Sequence, residues 1–79
     1  MKVETQDFYL TAYLCLRGLK IIKLKDFGHR KLFVFDDDED FQRLKREYYY
    51  NKAKVDPLIF KKQIRKLKSL ILENNMQTV

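Results

Sequence analysis

LKIIKLKDFGHRKLFVF, residues 19–35, decides the fold. Residues 19–25 and 31–35 are rich in β-branched, aromatic and alternating apolar positions, which is the pattern of strands. Between them, Asp26-Phe27-Gly28-His29-Arg30 forms a five-residue turn with a glycine in it. A loop of this length suits a hairpin, so the two strands are expected to pair antiparallel. A two-stranded ribbon is marginal by itself, so the segments on either side have to cover it.

Upstream, residues 8–17 read as a helix, with Thr5 and Asp7 as candidate N-caps and Gly18 placed to end it. At about 100° per residue, Phe8, Tyr9, Ala12, Cys15 and Leu16 fall on one side, with Leu10 and Leu14 roughly opposite. The helix is thus apolar nearly all round. Two readings follow: it lies between the sheet and another helix, or the Leu10 and Leu14 face meets a second copy. The open edges of the hairpin also allow a homodimer, unless Lys20, Lys23 and Lys25 protect them.

Downstream, the acids at 36–40 end the second strand and can cap the next helix, expected over residues 39–51. Phe41, Leu44 and Tyr48 recur there at helical spacing. A connector, residues 52–55, leads to Asp56-Pro57, an N-cap followed by proline at the first helical position. The third helix is expected to reach Asn74 or Asn75, with Phe60, Ile64, Leu67 and Ile71 as its apolar stripe and Ile59 and Leu70 widening it. Residues 76–79 are expected to fray. The fold class is therefore α+β, order α-β-β-α-α: an antiparallel β-hairpin packed against three helices. It is one domain, 1–79, ordered over about 5–75.

Composition narrows the function. The chain has 79 residues, 46% of them hydrophobic, which is too apolar for a disordered tail. It is also near the lower limit for a self-sufficient core, which leaves little room for an enzyme cleft. Cys15 and His29 each stand alone, so no internal disulfide forms and no Cys/His zinc site can be assembled. No apolar run approaches the roughly 18 residues of a membrane span, and the polar N-terminus does not read as a signal peptide. A cytoplasmic protein is expected, with no cofactor.

Four segments carry a resemblance. They are the apolar helix ending in Leu16-Arg17-Gly18, the basic strand after it, Phe33-Val34-Phe35-Asp36 leading into the acidic cap, and Val55-Asp56-Pro57-Leu58-Ile59-Phe60 before a lysine-rich helix. Over about residues 6–71 the chain resembles a small domain family of unknown function found in bacteria and their phages. The resemblance implies a fold and a mobile-element origin, and carries no activity or site residue.

The charge pattern is the most informative feature for function. There are 17 Lys and Arg against 11 Asp and Glu, a net charge of +6. Five of the acids sit at 36–40, leaving 17 cations against six carboxylates elsewhere. Lys61, Lys62, Arg65, Lys66 and Lys68 lie on the arc of the third helix opposite its apolar stripe. Lys23, Lys25, Arg30 and Lys31 lie on the hairpin. A surface of this sign gathers polyanions through counterion release. The leading expectation is a small basic accessory protein that contacts nucleic acid non-specifically through phosphates. The competing reading of these cations is a solvated helix face.

The alternative function is a phage or mobile-element protein that binds a host protein. Tyr48-Tyr49-Tyr50 bear on both, since consecutive helical residues point in different directions. Tyr49 and Tyr50 are interface candidates, able to stack bases or anchor a protein partner; alternatively two of the three tyrosines pack under the connector and the first helix. Successive acids at 36–40 diverge from a strand end, so helix capping explains them and no metal is expected. Catalysis is not expected: Cys15 lies within an apolar helix, where a thiol is inert.

Overall fold

A computed structural model describes residues 1–50 and 52–77, with side-chain surroundings described as far as residue 73. Six elements follow one another: β1 (Lys2–Thr5), α1 (Phe8–Leu16), β2 (Lys23–Asp26), β3 (Lys31–Asp36), α2 (Glu39–Tyr49) and α3 (Pro57–Gln77). The expected antiparallel hairpin is present as β2 and β3, from Lys23↔Val34 to Asp26↔Lys31. The class is α+β, as expected, but the sheet has a third strand.

That strand is β1. It pairs antiparallel with β3 from Lys2↔Asp36 to Thr5↔Phe33, giving the order β1-β3-β2 with β3 central. Its sequence alternates, so Val3 and Thr5 turn inward while Lys2 and Glu4 stay exposed. Thr5, expected as a helix cap, ends this strand, and its Oγ1 accepts the Asp7 N–H at 3.2 Å. Phe33 and Phe35 of β3 face the core, while Val34 points to the other side of the sheet. Across that outer side Glu4 pairs with Lys25 at 2.8 Å.

α1 occupies the centre. Asp7 caps it, accepting the Leu10 N–H at 3.0 Å. A Schellman motif ends it: the Leu19 N–H bonds Leu14 O and the Gly18 N–H bonds Cys15 O, both at 3.0 Å, with Gly18 at φ +102°. Residues Leu10 to Leu14 are all buried. The single buried polar side chain among the described residues is Thr11, whose hydroxyl donates to Asp7 O. The core joins this helix to Phe33 and Phe35 of β3, Phe41 and Leu44 of α2, and Leu67 of α3.

Several expectations are corrected. Leu10 and Leu14 are core residues at 0% exposure, so they present no surface to a second copy. The middle of α1, Leu10 to Leu14, is covered within one chain by the sheet and the other helices, while Tyr9 stays 55% exposed. The first hairpin strand starts at Lys23 rather than Leu19, because the chain leaves the Schellman turn before it joins the sheet. Asp26 belongs to β2, and the turn proper is 27–30; the Asp26 carboxylate holds it by accepting the Gly28 N–H at 2.8 Å. α2 ends at Tyr49, with Tyr50 as its C-cap; Asn51 lies outside the described residues. α3 runs on to Gln77, past the expected end and into the stretch expected to fray, whose last two residues, 78 and 79, lie outside the described residues.

Candidate nucleic-acid interface

The start of α3 is built as its sequence implies. Asp56 Oδ1 accepts the N–H groups of Leu58 at 2.8 Å and Ile59 at 3.2 Å, and Pro57 opens the helix. Leu67 is 2% exposed, and Phe60, Ile64 and Ile71 pack half-buried beside it on the core. This seam fixes the rotation of the helix. Lys61, Lys62, Arg65, Lys66 and Lys68 are consequently all exposed. Among the described residues, no carboxylate lies within ion-pair distance of any of the five.

The seam is narrower than expected. Ile59 and Leu70 do not widen it; they are 55% and 39% exposed, since α3 packs on one side only. Leu58 and Leu72 are exposed as well, so the outward side interleaves cations with aliphatic side chains.

The four hairpin cations divide differently. Lys25 is held by Glu4, and Lys31 lies 3.4 Å from Asp26 and donates to Gly28 O. The Arg30 guanidinium sits over the Phe27 ring at 5.4 Å. Lys23 is exposed, with no ion pair among the described residues. The turn and the later part of α3 do come together: Phe8, His29, Arg30, Lys31 and Ile71 line an open groove of about 250 Å³.

The tyrosines separate by depth. Tyr48 is half-buried, its ring 5.7 Å from that of Tyr13. Tyr49 is 51% exposed, but its hydroxyl donates to Asp7 Oδ2 at 2.6 Å. That bond, with burial second, pushes the Tyr49 hydroxyl up to about 12. Tyr50 is 71% exposed and, with Arg43, Arg46, Glu47 and Lys52, lines a groove of about 510 Å³. A larger recess of about 600 Å³ lies between α1, the end of α2, the connector and the start of α3. Tyr9, Tyr13, Tyr48, Tyr49 and Phe60 supply its rings, with Ala53 and Val55 beside them.

Sequence reasoning did not find the recess itself, but its alternative, that two of the three tyrosines pack under the connector and the first helix, fits Tyr48 and Tyr49 here. A further local signal is the alternation in residues 52–55, which turns Ala53 and Val55 inward and Lys52 and Lys54 outward.

Beneath it, Tyr13 donates to Glu47 Oε1 at 2.8 Å while Arg17 Nη1 donates to both, at 2.7 and 2.9 Å. These bonds tie the ends of α1 and α2. The Tyr13 hydroxyl and then Arg17 hold the Glu47 carboxyl below its usual range, against burial, which pulls it the other way. Burial and the Glu47 hydrogen bond push the Tyr13 hydroxyl up. Burial likewise pushes the half-buried Cys15 thiol up to about 11, which disfavours the reactive thiolate.

The acidic stretch is occupied with local work. Asp38 caps α2 through the Phe41 N–H at 2.9 Å, and Asp37 accepts from Gln42. Asp36 pairs with Lys2 and Asp40 with Arg43.

The family model of a domain of unknown function, DUF5659, matches residues 2–73. No curated protein and no solved structure matches the chain. The match spans β1 through most of α3, the whole of the sheet and the helices packed on it, and on that basis the chain belongs to the DUF5659 family.

Proposed function

We propose that this chain is a small basic accessory protein that holds nucleic acid through its phosphates, without reading base sequence, on the outer face of α3. One observation supports this above all: five exposed cations on one helix face, none paired with a carboxylate among the described residues. Such a face lowers the free energy of a nearby polyanion by releasing its counterions. Lys23 and Arg30 are secondary contacts, while Lys25 and Lys31 already have partners within the sheet and its turn. The bacterial or phage setting and the cytoplasmic location belong to the same proposal. No catalytic role is part of it.

A second reading keeps the face and changes the partner. Leu58, Ile59 and Leu72 are 69%, 55% and 63% exposed on the outward side of α3. Exposed aliphatics among cations favour a host protein with an acidic rim around an apolar centre.

Salt separates the two. The triple variant Lys62→Glu, Arg65→Glu, Lys66→Glu changes only exposed positions, so its circular dichroism should match wild type. Its affinity for a fluorescent oligonucleotide of about 20 residues should fall roughly tenfold or more, with a shallower salt dependence. No wild-type binding at about 100 µM protein and about 50 mM salt would remove the phosphate reading and leave the protein-partner reading in its place.

A further inference from the structure

We propose that the recess between α1, the end of α2 and the connector receives an unpaired base, so that the nucleic acid held by this chain is single-stranded. This rests on the phosphate-binding reading above and names the form of the ligand.

The recess has the parts of a stacking site. Tyr9 and Tyr49 are 55% and 51% exposed, so part of each ring is open to a ligand. They are also held in place. Tyr48 meets Tyr49 edge to face at 5.3 Å, Phe8 meets Tyr9 the same way at 5.4 Å, and the Tyr49 hydroxyl is fastened to Asp7. Rings fixed before binding lose little conformational freedom on contact. The volume, about 600 Å³, is ample for a base.

Cations follow the same path. Lys52 and Lys54 are exposed on the connector whose Ala53 and Val55 line the recess. Lys52 also lines a second groove with Tyr50, another exposed ring, and Arg46. Lys61 of the α3 face immediately follows Phe60 of the recess wall. Exposed cations thus flank the ring-bearing segments in sequence from the end of α2 to the start of α3. Of the nearby carboxylates, Asp7 accepts from Tyr49 and the Leu10 N–H, Asp56 from the Leu58 and Ile59 N–H groups, and Glu47 from Tyr13 and the cationic Arg17.

A duplex keeps its base faces inside its own stack, so the recess can gain nothing from it beyond phosphate contacts. A single strand offers both phosphate and ring, the pairing on which sequence-tolerant single-strand binders rely.

The test compares an oligo-dT of about 12 nucleotides, its abasic counterpart and a duplex, by anisotropy at low salt. Wild type should bind oligo-dT at least about fivefold tighter than the abasic strand. Tyr9→Ala should remove that difference while leaving the abasic affinity and the salt slope unchanged. The chain has five tyrosines and no tryptophan, so its emission reports the rings directly. Oligo-dT should quench it, and neither the duplex nor the abasic strand should. Equal, salt-sensitive binding of all three probes, or a Tyr9→Ala loss shared equally by oligo-dT and the abasic strand, overturns this inference and leaves the phosphate reading standing. Failure of every probe to bind removes both.

Discussion

Replacing Leu67 by alanine should unfold a large share of the population under mild denaturant. Leu67 is 2% exposed and, among the described residues of α3, is the one fully buried in the core. Its neighbours on the seam, Phe60, Ile64 and Ile71, are each only half-buried, so Leu67 carries the deepest part of the α3 contact among the described residues. Buried Leu→Ala changes cost about 2.7–5 kcal/mol, the lost transfer energy plus that of the cavity. A chain of 79 residues has roughly 4–12 kcal/mol in total. The loss is therefore about a fifth of the stability at the least, and all of it at the other extreme. Leu70→Ala, three residues on and 39% exposed, should cost far less. Urea unfolding followed by circular dichroism gives both values from the midpoint and slope. Equal costs for the two variants would mean that α3 is rotated about its axis. The cationic face would then no longer point outward, and the proposed interface would fall with the helix phase.

Two further outcomes follow from the ionisable groups. Glu47 has a folded-state pKa below its unfolded one, so its contribution is present above about pH 4.3 and is lost as pH falls through the folded value. The stability gap between wild type and Glu47→Gln should narrow between pH 6 and pH 3, and a gap that does not change with pH would refute the Tyr13–Glu47–Arg17 tie. Tyr49 has the opposite sign: its folded pKa of about 12 lies above the usual value near 10, so its contribution holds below pH 10 and disappears as pH rises towards 12. Absorbance titration of wild type minus Tyr49→Phe should show a midpoint near 12; a midpoint near 10 would mean that the bond to Asp7 is not formed.

What was legible in the sequence was local. Asp56-Pro57 and the Phe60–Ile64–Leu67–Ile71 spacing are set within a few turns of one helix, and they fix both its start and its phase. Gly18 marks the Schellman turn that ends α1, because few other residues tolerate φ +102°. β1 was not legible for the opposite reason. Only Val3 and Thr5 of its four residues turn inward, and its partner β3 lies about thirty residues away, so nothing near it in sequence announces the pairing. Leu10 and Leu14 show the limit of an apolar circumference, which says that a helix is buried but not by what. The aromatic recess is similar. It draws on four separate segments, and only the packing of α1 against α2 and α3 brings Tyr9, Tyr49 and Phe60 to one place.

The two charged regions differ in what the fold asks of them. Asp36, Asp37, Asp38 and Asp40 all make contacts that end a strand or start a helix. Among the described residues the α3 cations make no such contact, and they crowd one another. Lys61 and Arg65, and Lys62 and Lys66, stand four residues apart; Lys62 and Arg65, and Arg65 and Lys68, stand three apart. Like charges at these spacings destabilise a helix by about 0.2–0.5 kcal/mol per pair. Neutralising Lys62 and Arg65 to glutamine removes all four repulsions, and both side chains are exposed, so no packing is lost. The double variant should be more stable than wild type by about 1 kcal/mol, which for a domain of this size raises the melting temperature by roughly 4–8 °C. The gain should shrink at about 1 M salt, where the screening length falls to about 3 Å. The same variant should bind oligonucleotide more weakly, because the repulsion that destabilises the free helix is what a bound polyanion relieves. Stability rising while binding falls is the signature of a face shaped for a partner. A solvated face would show the stability change alone, and a melting temperature that does not rise at low salt would show that these cations do not repel one another at all.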